Sequence, residues 1–346
     1  MKLDLKARLN RIRTTVAAEN RPIPEPCSTT TVSDTTSGLP NSWLPVAPGV
    51  FQCITKFSLD SLQTTCFFRP AIFASKVKDE AARYSEIVFF DLETTGLSTR
   101  AGTVAFLAAL GTIEAGEIVV HQYFLEDYPY ESAFIEAVCS QLDKAKYIVT
   151  YNGGSFDLPL LRTRCILNRL PFSLVSKHLD IVHTARSLWR DTLQSRTLQT
   201  IEKEILGIQR GEDIPGRQIP ERWFLFLRDH KFEHLRTVFS HNAVDIVSLA
   251  RLLIYCNEGF WGHAEIKSAE RYGFARLLAR VDPVRALETL YGVDLTGRPA
   301  AQRFILKLLR GLLERPVYRA IRKQWLADWS NPHAFGDNQG SRVSPS

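Results

Sequence analysis

No uninterrupted apolar run in this chain approaches the length of a bilayer-spanning helix. The longest runs from Val104 to Leu110, against the ~20 residues a spanning helix needs. The opening segment, MKLDLKARLNRIR, is charged throughout and lacks the apolar stretch of a secretory signal. No C-x-x-C pair occurs among the six cysteines, Cys27, Cys53, Cys66, Cys139, Cys165 and Cys256. That scatter argues against a structural zinc site and predicts reduced, packed thiols in a cytoplasmic protein. Collagen-like or low-complexity bias is absent too. What remains is globular: 346 residues, 45% hydrophobic and 23% charged. This length predicts one large domain and a smaller one, with ample core and no membrane association.

Charge is scarce in total and uneven in place. The formal net charge is +6. Residues 1–22 carry a net +4, residues 261–330 a net +6, and residues 23–260 a net −4. Basic flanks suit a polyanion such as nucleic acid. The acidic middle would repel one, unless its carboxylates hold cations. Ordinary solvation charge explains +6 equally well.

Residues 1–48 read as a basic amphipathic helix over 3–16, then a Pro-, Ser- and Thr-rich linker over 22–48. Between 49 and 258 strands and helices interleave, predicting an α/β sheet flanked by helices. EIVFFD, from Glu86, is a buried central strand. Segments 103–113 and 117–125 form a hairpin about Glu114–Gly116. Helices are predicted over 131–143, 157–168 and 197–206, and from 233 to 256, with YIVTY (147–151) a further buried strand and HLDIV (178–182) leading into a helix that ends near Leu188. Residues 259–330 read as a smaller all-α region of Ala- and Leu-rich helices, and 331–346 as a disordered tail.

Three short motifs carry chemistry. In FFDLETTGL, Asp91 and Glu93 lie two apart at a strand end, so both side chains share one face about 7 Å apart. In YNGGSFDLP, Asp157 opens a helix, a place where an Asp also serves simply as a cap. In FSHNAVDIVSLARLL, His241 and Asp245 lie four apart on one helix face, as many surface pairs do. Each motif alone has an ordinary structural explanation. Four acids converging on one sheet edge would strain a fold, unless they bind hard cations such as Mg²⁺ or Mn²⁺. Two such ions suit phosphodiester hydrolysis. His241, titrating near neutral pH, could then take a proton from the attacking water.

In this order, D-x-E, N-G-x-x-F-D and H-x-x-x-D, the chain resembles the DEDD 3′-to-5′ exonucleases of the ribonuclease-H-like superfamily. FFDLETTGLSTRAGTVAFLAALG, YNGGSFDLPLLRTR, DIPGRQIPERW and HNAVDIVSLARLL resemble more narrowly the YprB-like group, which includes the bacterial mitomycin-repair exonuclease. The resemblance implies a ribonuclease-H-like mixed sheet and two divalent metal ions, Mg²⁺ or Mn²⁺. It implies that Asp91 bridges both ions, that Glu93 binds one and positions water, that Asp157 serves the second and that Asp245 completes the first. His241 would be the general base. The spacing departs from the broad family, where the base is a Tyr four residues before the last Asp or a His five before. Here His241 is four before and Ser240 five before. Thr94, Gly96, Leu97, Asn152 and Phe156 are the implied contacts to the 3′ nucleotide, and turn chemistry or core packing explains them as well. Asp180 would support the site from behind or cap a helix. The resemblance further implies tetratricopeptide-like helices at the C-terminal end and work beside a helicase in DNA repair. DNA is favoured over RNA as partner. An exoribonuclease and a non-enzymatic nucleic-acid-binding adaptor are the alternatives.

Overall fold

The computed structural model describes residues 39–59, 67–74, 80–96, 98–262, 266–295, 298–313 and 323. In chain order its strands are β1 (Leu44–Ala47), β2 (Val50–Ser58), β3 (Phe67–Phe68), β4 (Ala82–Arg83), β5 (Ile87–Thr94), β6 (Ala105–Glu114), β7 (Glu117–Leu125), β8 (Tyr147–Thr150) and β9 (Lys177–Asp180). The helices are α1 (Pro70–Phe73), α2 (Glu131–Leu142), α3 (Asp157–Leu167), α4 (Ile181–Leu188), α5 (Leu198–Ile201), α6 (Ile219–Asp229), α7 (Arg236–Trp261), α8 (Ser268–Leu278), α9 (Pro283–Leu290) and α10 (Pro299–Leu313). The chain divides into two compact units, residues 1–183 with 195–258, and residues 184–194 with 259–346.

The first unit is built on a mixed seven-stranded sheet in the order β1-β2-β7-β6-β5-β8-β9. Its first five strands run antiparallel, and β5, β8 and β9 are parallel. The β6–β7 hairpin closes through Ala115 and Gly116, both at positive φ, as a two-residue turn requires. Parallel strands need crossovers, and α2 and α3 supply them. β5 lies inside the sheet between β6 and β8, and its apolar residues Val88, Phe90 and Leu92 enter one cluster with Phe134, Val138, Leu160 and Leu161. Phe89, Asp91 and Glu93 point to the opposite face by strand alternation.

α7 covers that opposite face. In register, Phe89 faces Gly111, Asp91 faces Ala109, and Ala109 faces Gln122. The small residues of β6 let the helix come close. A Cβ on Gly111 would lie 2.3 Å from Ile246 Cγ2. Gln122 Nε2 donates to the Phe239 carbonyl at 2.8 Å and to Asn242 Oδ1 at 3.2 Å. α7 is long and apolar enough to cross a membrane by length and composition, yet 72% of that stretch is covered by the protein's own residues.

Residues 39–48 correct the linker expected over 22–48. Leu39 and Trp43 are buried and β1 begins at Leu44. The reason is tertiary: the Trp43 ring lies 4.3 Å from that of Phe239 and 6.1 Å from that of Phe124. The helix expected over 3–16 and the tail at 331–346 lie outside the described residues. The helix expected over 197–206 begins as α5 and widens into a π-turn over Glu202–Leu206, ending at left-handed Gly207. None of the described cysteines, Cys53, Cys139, Cys165 and Cys256, is in a disulfide.

In the second unit α8, α9 and α10 are amphipathic and bury Phe274, Leu277, Leu287, Leu290 and Ile305. Trp189 Nε1 donates to the buried Glu270 at 2.9 Å, and the Tyr272 and Phe304 rings meet edge to face.

Because Gly111 sets the approach of α7, Gly111→Ala should destabilise the chain by about 1–3 kcal/mol through overpacking. Urea unfolding checks this, and an unchanged midpoint would contradict it.

Candidate active site at the end of the central strand

Asp91 and Glu93 stand on the face of β5 that α7 covers, and α7 reaches them with three side chains. Asn242 Nδ2 donates to Asp91 Oδ2 at 2.8 Å. His241 Nε2 lies 3.9 Å from Glu93 Oε1 and 3.6 Å from Asp245 Oδ2. Helical spacing explains the grouping, since 241, 242 and 245 fall on one face. Asn242 is fully buried. Its amide therefore links Gln122 on β7 to Asp91 on β5 through one continuous hydrogen-bonded chain.

Asp157 arrives from the other side. β8 ends at Thr150, and the turn that follows is pinned by Asp180 at the end of β9. Asp180 accepts from the N–H groups of Asn152 at 2.7 Å and Gly154 at 3.0 Å, and from Val182 in the first turn of α4 at 3.3 Å. Both readings of Asp180, a support and a cap, therefore describe it. Asn152 takes a left-handed φ of 69° in this turn. A Cβ on Gly153 would lie 2.8 Å from Asp157 Oδ2, so only glycine allows the turn to close against that carboxylate. Asp157 lies in the first turn of α3, and the N–H of Leu92 on β5 is near enough to act on its carboxyl, which sets it beside the acids of that strand.

The four acids thus come together, and their charges press on one another. Burial, then Asp245 and Asp157, hold the Asp91 carboxyl well above its ordinary range. Burial, then Asp91, Asp245 and Asp157, do the same to Glu93. Asp157 is pushed up to about 7, by burial first and by Asp180 and Asp245 after its hydrogen bonds are set against it. Asp245 is raised by burial, although His241 and Arg210 pull the other way.

Three residues not named as site candidates from the sequence, Glu202, Arg210 and Asp213, complete the site, although Asp213 opens the quoted segment DIPGRQIPERW. Arg210 bonds Asp245 through one terminal nitrogen. It grips Glu202 with two bonds of 2.7 and 2.6 Å, and it lies 3.3 Å from Asp213. Asp213 Oδ1 lies 2.7 Å from His241 Nδ1. That ring nitrogen also lies 3.0 Å from Arg210. It can donate to Asp213 or accept from Arg210, but not both. Burial pulls the His241 pKa down, yet the Asp213 bond and the Asp245 charge outweigh it and the net direction is up. The shorter bond and that direction assign the Nδ1 proton to the Asp213 side, leaving Nε2 to face Glu93 and Asp245. The signal in the sequence was the charge content of QRGEDIP, which reads as an ordinary polar loop until it folds over α7.

The remaining candidates divide. Thr94 is buried and its hydroxyl donates to the Gly96 carbonyl at 2.7 Å, so it shapes the turn after β5. Asn152 is exposed. Phe156 is half-buried and packs on the core cluster. Leu97 lies outside the described residues.

The donor set is all carboxylate oxygen, which suits a hard divalent cation. It is not a finished coordination sphere. Among the described residues no three His, Cys, Asp or Glu side chains are arranged to hold an ion. Asp245 is held by a guanidinium and Asp91 by an amide.

Comparison with known proteins agrees with this architecture. The family model RNase_H_2, of the RNase_H superfamily, matches residues 88–257. Protein YprB of Bacillus subtilis (strain 168) is 35% identical over 211 residues, covering 60% of this chain and 51% of that protein. The chain thus spans about half the length of that relative. Among solved structures, the family B DNA polymerase of the hyperthermophilic archaeon Pyrobaculum calidifontis is similar at a TM-score of 0.38, 17% identity, 59% of this chain and 28% of that one. The zinc-bound E. coli ExoI–ssDNA complex is similar at a TM-score of 0.28, 16% identity, 49% of this chain and 42% of that one.

A raised carboxylate pKa has a definite consequence. Asp157 titrates near 3.8 when unfolded and about 7 when folded, so the folded chain binds the proton more tightly. Its contribution to stability therefore falls as pH rises from about 4 to about 7. In chelator, Asp157→Asn should be more stable than the parent at pH 8 by about 1–3 kcal/mol, with the gap closing toward pH 4. Thermal unfolding at both pH values checks it, and a gap independent of pH would contradict it.

Proposed function

We propose, for a chain that belongs to the YprB-like family of ribonuclease-H-like proteins, a 3′-to-5′ exonuclease that hydrolyses DNA phosphodiester bonds with two divalent cations. One observation carries this reading: four largely buried carboxylates from three distant segments face one strand end, and burial with the charge of neighbouring acids raises the pKa of each. A site that merely gripped nucleic acid would not gather anions against an anionic ligand. Cations resolve the contradiction, because they neutralise the carboxylates and attract the phosphate together.

In this reading Asp91, Glu93, Asp157 and Asp245 hold the ions. When bound, such ions activate a water and stabilise the leaving oxygen. The chain's own residues do the rest. His241 offers Nε2 to the proton of the attacking water, a role that an imidazole held at its other ring nitrogen can fill. Asp213 holds the opposite ring nitrogen, fixes the tautomer and balances the imidazolium once the proton has moved. Asn242 keeps Asp91 in one rotamer. Asp157 ties the opening of α3 to β5, so the two sides of the cleft stay in register. The exposed Asn152 and the turn at Thr94 and Gly96 flank the place where a terminal nucleotide would lie. The family resemblance supports work in DNA repair, in the cytoplasm and beside a helicase.

The test is digestion of 3′- and 5′-labelled DNA and RNA oligonucleotides of one sequence, with Mn²⁺ and with chelator. Shortening from the 3′ end of DNA, lost in chelator, is expected. Asp91→Asn should lower kcat by about a hundred- to a thousandfold. Asp213→Asn should lower kcat by about a hundredfold with little change in KM, since it disturbs proton transfer alone. Shortening from the 5′ end, or full activity in chelator, would overturn the reading. Preference for RNA would move it to an exoribonuclease.

A further inference from the structure

Arg210 occupies an unusual position for a buried arginine. Its side chain is only 10% exposed, and besides Asp213 it serves two carboxylates at once, Glu202 and Asp245. Nε and one terminal nitrogen grip Glu202, which is 2% exposed, in a two-point fork. That same terminal nitrogen also bonds Asp245. The remaining nitrogen faces Asp213 and His241.

The two carboxylates are not equivalent. Glu202 sits eight residues before Arg210, on the π-turn that ends at left-handed Gly207. The N–H of Ile208 closes back onto the Glu202 carbonyl at 2.9 Å. Glu202 and Arg210 are therefore held by one local loop, and their fork has the planar geometry that makes arginine–carboxylate pairs strong. Asp245 comes from α7, 35 residues away. It is bonded at one oxygen, and its other oxygen lies 3.6 Å from His241 Nε2. Removing Asp245 from Arg210 would leave the guanidinium neutralised by Glu202. Removing Glu202 would leave it without its two-point anchor. The pair with Glu202 is the permanent one, and the bond to Asp245 can be exchanged.

We propose that Arg210 is the chain's own counter-cation for Asp245, which a divalent cation must displace before it can use that carboxylate. The proposal rests on the reading of the four acids as ion ligands and adds a resident competitor to it. Glu202 is what makes exchange feasible, because a buried guanidinium released without a partner would be very costly. The acids of β5 and α3 can then accept a first ion without disturbing Arg210. Asp245 becomes available only when the charge of the incoming ion outweighs that of the guanidinium. Ion binding should accordingly be stepwise, with the weaker step controlled by Arg210.

Calorimetric titration of Mn²⁺ into the full chain tests this without any turnover. Arg210→Gln should tighten the weaker step by about tenfold, because a competing positive charge is gone. Since that variant leaves Glu202 buried and unpaired, the double variant E202Q/R210Q, which removes both charges, is measured beside it and should tighten the same step. A supporting role for Arg210 would instead leave or weaken Mn²⁺ affinity in both variants. Unchanged or weaker Mn²⁺ binding in the folded variants overturns the proposal. Absence of Mn²⁺ binding by the parent and both variants would overturn the ion-ligand reading itself, a result distinct from equal binding by all three.

Discussion

Like charges buried together govern this molecule. Asp91, Glu93, Asp157 and Asp245 each resist ionisation because burial and the neighbouring acids oppose it. A fold tolerates such crowding only if its scaffold is rigid and if compensating charge is close at hand. The scaffold is the seven-stranded sheet, whose central strand carries two of the acids. The compensating charge within the chain is Arg210. The rest of the first unit can be understood as the means of holding both.

The rigidity comes from how closely α7 lies on the sheet. Gly111 and Ala109 leave no bulk between helix and strand, and Ile246 fills the space where a side chain would stand. Gln122, Asn242 and Asp91 then form a buried polar chain across three strands and a helix. Every member of that chain finds a partner, which is the condition under which buried polar groups specify a structure. Asp157 is fixed from the opposite side by its place in the first turn of α3 and by the turn that Asp180 pins. Neither half of the cleft depends on a flexible side chain for its position.

The parts legible in the sequence were those with local causes. The run IVFFD could only be a buried strand, the Ala115–Gly116 turn closes a two-residue hairpin, and Asp157 opens α3 as its place before Pro159 suggests. The four acids were legible because each sits at a fixed offset within a short element. What was hidden had distant causes. Residues 39–48 look like linker until Trp43 meets Phe124 and Phe239. Asn242 looks like any helical asparagine until Asp91, 151 residues earlier, lies beneath it. Arg210 and Asp213 belong to a polar loop, and Glu202 to the helical turn before it, and their function appears only when the loop folds over His241 and Asp245. In the second unit, α8, α9 and α10 have 11, 8 and 15 residues. Repeats of unequal length leave no fixed period to detect.

The loop also connects the charge problem to the proton problem. His241 Nδ1 lies between a carboxylate at 2.7 Å and a guanidinium at 3.0 Å, and these demand opposite tautomers. While Arg210 leans toward Asp245, it competes with Asp213 for the ring. If Arg210 withdraws onto Glu202, Asp213 becomes the sole partner of Nδ1 and the ring is left with Nε2 as its acceptor. That is the orientation a proton acceptor facing the four acids requires. The Asp245 bond and the His241 contact use different guanidinium nitrogens, Nη2 and Nη1, so the carboxylate and the base meet on one side chain that Glu202 holds in place.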